Sequence, residues 1–96
     1  MPTLHILLRS PPSAGEVEER LRFALPQDGV LLAQDAVFAL RTAAKEITTE
    51  ASSRDLKLYA LKPDMLARSI EPIAPVQPID YDDFIELLSQ YDRTYS

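Results

Sequence analysis

Few residues of this chain are of the types that carry out catalysis. Cysteine is absent, so the sequence offers no thiol nucleophile, no thiolate metal ligand and no disulfide. The single histidine, His5, lies among apolar neighbours, which is more typical of a packed, hydrogen-bonded core histidine than of a catalytic base. Ser10 and Ser13 lack the G-x-S-x-G context of a hydrolase nucleophile. We therefore expect no catalytic residue.

The sequence also gives no reason to expect a metal or a cofactor. With two glycines in all, the chain has neither a dinucleotide fingerprint nor a phosphate loop, which both need several glycines. Asp80, Asp82 and Asp83 form the main acidic cluster, and such a run is more typical of a helix start than of converging metal ligands.

Composition and charge limit the class of partner. The formal net charge of −5 disfavours direct binding to nucleic acid, since basic residues are scattered among more numerous acids. No apolar run approaches the roughly 20 residues of a membrane span, and the N-terminus lacks the basic flank of a signal peptide. We expect one cytoplasmic domain over residues 1–96 that contacts no membrane.

Strand and helix patterns alternate along the chain. The predicted strands are Thr3–Leu8, Gly29–Ala33, Leu56–Leu61 and an extended edge segment, Val76–Ile79. Four helices are predicted. The first is amphipathic and lies between Ser13 and Pro26, with Val17, Leu21, Ala24 and Leu25 on one face; the second and third are Ala36–Lys45 and Pro63–Ser69. The last helix begins at an Asp80–Asp83 capping pair and has one apolar stripe, formed by Tyr81, Phe84, Ile85, Leu88 and Tyr91. Glu46–Asp55 is expected to be loop or helix tail, and Asp92–Ser96 to fray or add an edge strand. This order predicts a small flavodoxin-like three-layer α/β sandwich, with a mostly parallel sheet of about four or five strands and helices on both faces.

The junction at Gln34-Asp35 is the first place to expect a functional site. It follows a buried strand, and ligands and partners of open α/β sheets gather at the carboxyl ends of strands. Asp35 has two interpretations, a cap of the following helix or an ordering group of a site or subunit contact. Arg68 has two as well, a cation facing the end of its own helix or a functional cation.

The predicted helix Ala36–Lys45 is apolar over most of its circumference. Either neighbouring helices of the same chain cover its far side, or the helix lies at a subunit interface, which we favour for so small a domain. The candidates for an interface or sheet edge are Gln34, Asp35, Val37, Phe38, Leu40, Arg41 and Arg68.

Four segments in order resemble the DsrH/TusB family of small α/β proteins of bacterial sulfur relay. They are Leu4-His5 with Arg9-Ser10-Pro11, then Leu31 to Asp35, then Tyr59-Ala60-Leu61 with Asp64, Ala67 and Arg68, and finally Ile79 to Phe84. The resemblance departs from the family at Ala36 and Ser69, where members usually have glycine, and in the absence of a C-terminal tryptophan. If the family's glycine at either position has a positive φ, the local turn of this chain must differ, because alanine and serine adopt positive φ less readily than glycine.

The resemblance implies a hetero-oligomer, typically a heterohexamer, with related DsrE/TusD-like and DsrF/TusC-like subunits. Persulfide sulfur there passes through a cysteine on a sister subunit, in the TusB branch toward 2-thiouridine at the tRNA wobble position. Some DsrH members carry their own cysteine, at a position that an ungapped count places at Arg20. The resemblance therefore implies a noncatalytic, TusB-like subunit. The alternatives are a DsrH-like subunit of a sulfur-oxidation complex and a stand-alone interaction module; a sulfurtransferase in its own right would need a thiolate.

Overall fold

The computed structural model describes residues 2–9, 19, 21–22 and 24–95. These residues contain a five-stranded, fully parallel sheet in the order β4-β3-β2-β1-β5. In chain order the elements are β1 (Thr3–Leu7), β2 (Gly29–Leu32), a 3₁₀ helix (Gln34–Phe38), α1 (Ala39–Thr42), α2 (Ala44–Arg54), β3 (Lys57–Leu61), α3 (Lys62–Ala67), β4 (Gln77–Ile79), α4 (Tyr81–Gln90) and β5 (Arg93–Tyr95).

The strand order explains the three layers. From β1 to β4 each new strand is added on the same side of the sheet, so that right-handed crossovers place the intervening helices on one face. α4 then runs back from β4 to β5, which pairs with β1 at the opposite edge, and therefore lies on the other face. The predicted three-layer α/β sandwich with helices on both faces is confirmed.

Two apolar clusters lie on the two faces of the sheet. One contains Val30 and Leu32 of β2 together with residues of the 3₁₀ helix, α1, α2 and α3. The other contains Leu31 of β2 and the inward stripe of α4. All four residues of β2 are buried, as the apolar run in the sequence predicts for a central strand covered on both faces.

The helix predicted at Ala36–Lys45 is not continuous. Its first part is the 3₁₀ helix and its second is the four-residue α1, and at Ala43 the backbone leaves the helical region, with φ −141° and ψ 31°. A new helix, α2, then extends to Arg54 and ends at Asp55, whose φ of 56° is left-handed. The segment 46–54 is therefore helix rather than loop, the second of the two predicted alternatives.

The last helix is capped as predicted but rotated about its axis. Asp80 accepts from the Asp83 N–H at 2.8 Å and the two form a capping box. The residues that pack on the sheet are Phe84, Leu87, Leu88 and Tyr91. Tyr81 and Ile85 are 56% and 66% exposed, so their assignment to the buried stripe is wrong. The periodicity fits two adjacent stripes, and packing against the sheet selects one of them.

The remaining elements agree with prediction except on one point. α3 begins with Pro63 in its first turn, β4 is an edge strand, and residues 93–95 add the second edge strand, β5. Of the first predicted helix, residues 13–18, 20 and 23 lie outside the described part of the chain, and so does Arg20, where the ungapped count places the cysteine of some family members. Leu21 and Ala24 are buried as expected, but Leu25 is 64% exposed and does not belong to that apolar face. No helix among the described residues has the length and apolar character needed to span a membrane.

Candidate interaction site at the carboxyl edge of the sheet

Two neighbouring strands end side by side, and the residues that follow them form the candidate site. Gln34 follows β2 and adopts a left-handed φ of 51°. Asp64 lies in the first turn of α3, directly after β3. The Gln34 N–H donates to Asp64 Oδ2 at 2.6 Å. Because β2 and β3 are adjacent and parallel, their carboxyl ends meet and bring these two residues together.

This hydrogen bond corrects the prediction that Asp35 caps the helix. The 3₁₀ helix begins at Gln34, two residues earlier than predicted, and its N-cap residue, Ala33, has no side chain that could cap it. Asp35 is instead in the first turn, and Asp64 from a different element supplies an acceptor for a free N–H of this helix start. The capping group therefore comes from a residue distant in the sequence and not from the residue that precedes the helix.

Arg68 joins the two segments. Its Nε donates to Asp35 Oδ1 at 3.0 Å, and its Nη1 donates to the Asp64 backbone oxygen at 3.3 Å and lies 3.7 Å from Asp64 Oδ1. The Asp35 side chain is 65% exposed, so solvent weakens that ion pair, whereas Asp64 is 17% exposed. Arg68 lies at the C-cap of α3, as the first interpretation expects, and it also bridges to Asp35; its role as a functional cation stays a prediction.

Phe38 is the apolar centre of the cluster. Its half-buried ring has the guanidinium carbon of Arg41 5.7 Å from its centroid and that of Arg68 at 6.0 Å. Arg41 Nη2 donates to the backbone oxygens of Arg68 and Ser69, at 3.2 and 3.0 Å. Arg41 thus holds the turn after α3 against α1.

Five of the seven predicted candidates come together in this cluster, namely Gln34, Asp35, Phe38, Arg41 and Arg68. Val37 and Leu40 do not, because they are 0% and 2% exposed inside the core. For these two the interface hypothesis is wrong, because the chain's own elements bury both side chains. Phe38 is half-buried, and the polar residues Gln34, Asp35 and Arg41 of the same segment are exposed.

Sequence reasoning left Asp64 and Ser69 out of the candidate set. Asp64 had a usable signal, since it follows Pro63 immediately after a strand adjacent to β2. Ser69 has a φ of 55°, so the position where family members usually have glycine does require a left-handed backbone, and serine adopts it here. Ala36, at the other such position, lies in the 3₁₀ helix and is fully buried, without positive φ.

A second polar cluster lies at the opposite, amino-terminal edge of the sheet. The carboxylate of Asp28, which is 3% exposed, accepts from the N–H groups of Thr3 and Leu25 and from His5 Nε2, at 2.9 to 3.0 Å. Burial raises the pKa of Asp28, but these hydrogen bonds together outweigh it and the net pKa is lowered. His5 is therefore a hydrogen-bonded, largely buried histidine, as the sequence predicts.

Neither cluster presents a nucleophile. The guanidinium groups of Arg41 and Arg68 donate to a carboxylate and to backbone oxygens, while Gln34 and Asp35 remain exposed. Within the described ranges, no three acidic or histidine side chains are placed to hold a metal ion. The geometry is suited to recognition by hydrogen bonds and charge.

Fold and site together define a small three-layer α/β protein with a hydrogen-bonded, polar carboxyl edge. A family model described as "DsrH like protein" matches residues 9–94. The chain therefore belongs to the DsrH-like family, whose members are subunits of the sulfur-relay type.

Other comparisons bear on the fold. The crystal structure of the ychN protein from E. coli is similar, with a TM-score of 0.69 and 14% sequence identity, over 99% of this chain and 98% of that one. At this identity the likeness shows the fold alone. The comparison with curated proteins finds no match.

Proposed function

We propose that this chain is a noncatalytic subunit of a sulfur-relay complex that supports persulfide transfer for 2-thiouridine formation at the tRNA wobble position. The observation that carries the proposal is the family match over residues 9–94 of a chain without cysteine. Sulfane transfer requires a thiolate, so the sulfur must travel on another subunit.

The partners in this proposal are DsrE/TusD-like and DsrF/TusC-like subunits, assembled as a heterohexamer. The carboxyl edge is the proposed contact, with Gln34 and Asp35 as the groups that meet a partner. Asp64, Arg68 and Phe38 act by positioning them. An edge already ordered by these contacts loses little conformational entropy on binding, which favours affinity.

Native mass spectrometry of the chain, alone and coexpressed with cysteine-bearing DsrE-like and DsrF-like relatives, tests the assembly. We expect a hetero-oligomer. A chain that remains a lone monomer beside these relatives would overturn the proposal in favour of a stand-alone interaction module.

The edge itself is tested with Gln34→Gly, which removes the amide side chain and keeps the left-handed backbone accessible. We expect at least a roughly tenfold loss of affinity for the partner subunits, about 1.4 kcal/mol. Gln27→Gly is the matched control, because Gln27 is also exposed, has a φ of 78° and lies at the amino edge. Equal affinity in both variants would exclude Gln34 from the contact.

The pathway is tested by deletion. We expect loss of this chain to lower 2-thiouridine in tRNA, and a variant that cannot assemble to fail to restore it. Normal thiolation together with impaired sulfur oxidation would replace the tRNA assignment with the DsrH-like one.

A further inference from the structure

A cleft of about 250 Å³ lies between α4 and the part of the sheet formed by β3 and β4. Seven residues line it, namely Asp83, Glu86, Leu87 and Gln90 on the helix and Tyr59, Gln77 and Ile79 on the strands. The helix residues recur at intervals of three and four, so they share one flank of α4. Drug-sized ligands occupy sites of roughly 300–1,000 Å³, whereas this cleft has room for one long side chain.

The two acidic residues of the cleft are exposed and are not neutralised by the chain itself. Among the described residues, neither Asp83 nor Glu86 forms an ion pair, and the Glu86 carboxylate accepts no hydrogen bond. Asp83 Oδ2 accepts the Asp80 N–H at 3.5 Å in the capping box, which leaves Oδ1 available. Each carboxylate therefore has at least one oxygen free to accept from a cation.

Tyr59 adds a buried polar group to the same cleft. Only 8% of this residue is exposed, and its hydroxyl oxygen lies 3.3 Å from that of Tyr91. No other hydrogen bond to either hydroxyl is present within the described ranges. Because a hydroxyl group has one proton and two lone pairs, a single shared bond leaves the Tyr59 oxygen able to accept another. This acceptor is independent of the two carboxylates.

The basic residues around the cleft do not offset its charge. None of the described residues that line it is basic, and α4 contains no lysine or arginine. Lys57 is exposed at the start of β3, outside the lining, while Arg9 and Arg93 belong to the β1 and β5 side, at least two strands from β3. The carboxyl end of α4, at Gln90, adds partial negative charge. The cleft therefore selects a cation.

We propose that this cleft receives an arginine side chain of a protein partner. A guanidinium group has five N–H donors in one plane and no acceptor, which matches a lining of two carboxylates, two amide oxygens and a phenol oxygen. The aliphatic stem of the arginine packs on Leu87 and Ile79, which are 6% and 4% exposed. A lysine ammonium has three donors on one atom and reaches fewer of these acceptors at once.

The arginine acts as one anchor of a larger contact, because a single side chain in a cleft open to solvent binds weakly. The site is separate from the carboxyl-edge cluster, since α4 lies on the opposite face of the sheet from α1 and α3. The proposal requires a protein partner and does not rest on the sulfur-relay function.

The probe is a short glycine peptide with one central arginine, blocked at both ends. Its matched control has citrulline, an uncharged analogue of the same shape, in place of arginine. Binding is measured by titration into the isotopically labelled chain, followed by amide chemical shifts at low salt. We expect the arginine peptide to shift the signals of Tyr59, Gln77 and Glu86, and to bind at least about tenfold more tightly than the citrulline peptide.

Glu86→Gln should weaken binding of the arginine peptide at least about fivefold, because the side chain keeps its shape and loses its charge. Asp82→Asn is the matched control: Asp82 is an exposed acid of the same helix outside the cleft, and its loss should change the affinity less than about twofold. Gln77→Lys places a cation in the cleft and should abolish binding. Circular dichroism verifies that each variant folds.

Absence of arginine-peptide binding would overturn the proposal, as would equal weakening by Glu86→Gln and Asp82→Asn, which would reflect only the general charge of α4. A lysine peptide that binds as tightly as the arginine peptide would reject the preference for a guanidinium group.

Two further results would replace the occupant. Butylguanidine bound at least about tenfold more tightly than the peptide would make a small molecule the ligand, and a homodimer that Glu86→Gln disperses would make it a second copy. Loss of the hetero-oligomer in Gln34→Gly concerns the carboxyl edge alone, so the two proposals fail separately.

Discussion

The carboxylate of Asp64 accepts a hydrogen bond at 2.6 Å from the backbone N–H of Gln34, thirty residues earlier in the chain. This one contact ties the helix that follows β2 to the helix that follows β3. It also holds Gln34 in the left-handed conformation that places its side chain at the sheet edge.

Removal of that acceptor should destabilise the fold. We expect Asp64→Ala to lower the free energy of unfolding by about 1–2 kcal/mol, because a helix-start N–H loses its partner and Arg68 loses a neighbouring carboxylate. Urea denaturation measures the change. Glu71→Ala, in an exposed loop, is the control and should shift stability by less than about 0.5 kcal/mol. Equal stability of Asp64→Ala and wild type would show that the cap contributes nothing.

Replacement of Ser69 by glycine should stabilise the fold. Its φ of 55° is costly for serine and not for glycine, so Ser69→Gly should raise the free energy of unfolding by about 0.5–1 kcal/mol. Ser69→Ala keeps a Cβ and should give no such gain. The midpoint of urea unfolding, at unchanged m, distinguishes the two variants. A less stable glycine variant would contradict this account of the strain.

Gly29 is required by the close approach of Tyr91. A Cβ at position 29 would lie 2.7 Å from Tyr91 Cζ, closer still to its hydroxyl oxygen, and 3.1 Å from Leu4 Cδ1. We expect Gly29→Ala to cost about 1–3 kcal/mol of stability. In a double-mutant cycle, Tyr91→Leu should recover part of that loss. If the stability losses of Gly29→Ala and Tyr91→Leu simply add, a clash with Tyr91 is not the reason that position 29 needs glycine.

The Asp28 cluster predicts a loss of stability in acid. Because the folded-state pKa of Asp28 is lowered, its contribution is fully present above the unfolded pKa and is lost as pH falls through the folded value, from about pH 4 downward. Asp28→Asn should cost about 2–3 kcal/mol at neutral pH and flatten this acid dependence. Urea titrations at neutral and acidic pH check it against Asp82→Asn, an exposed control. An unchanged acid profile in Asp28→Asn would assign the pH dependence to other carboxylates.

Much of the fold follows from local patterns. The apolar runs that become β1 and β2 predict strands covered on both faces, because such a strand shows no polar alternation, and the run that becomes β3 predicts a third strand. The capping box at Asp80 and Asp83 and the proline in the first turn of α3 depend only on nearby backbone, so their sequence signatures are reliable. The absence of cysteine by itself rules out thiolate chemistry on this chain, whatever its fold.

What the tertiary structure decided was the partner of each exposed or buried group. The apolar circumference of the segment after β2 is compatible with a subunit interface or with internal packing, and only the arrangement of α1, α2 and α3 around it shows that Val37 and Leu40 are internal. The two stripes of α4 have nearly the same periodicity, so the angle at which the helix meets the sheet determines that Phe84 is packed and Ile85 exposed. Local sequence determines which residues can form a strand or a cap, whereas contacts such as that between Asp64 and Gln34 arise only when adjacent strands bring distant segments to one edge.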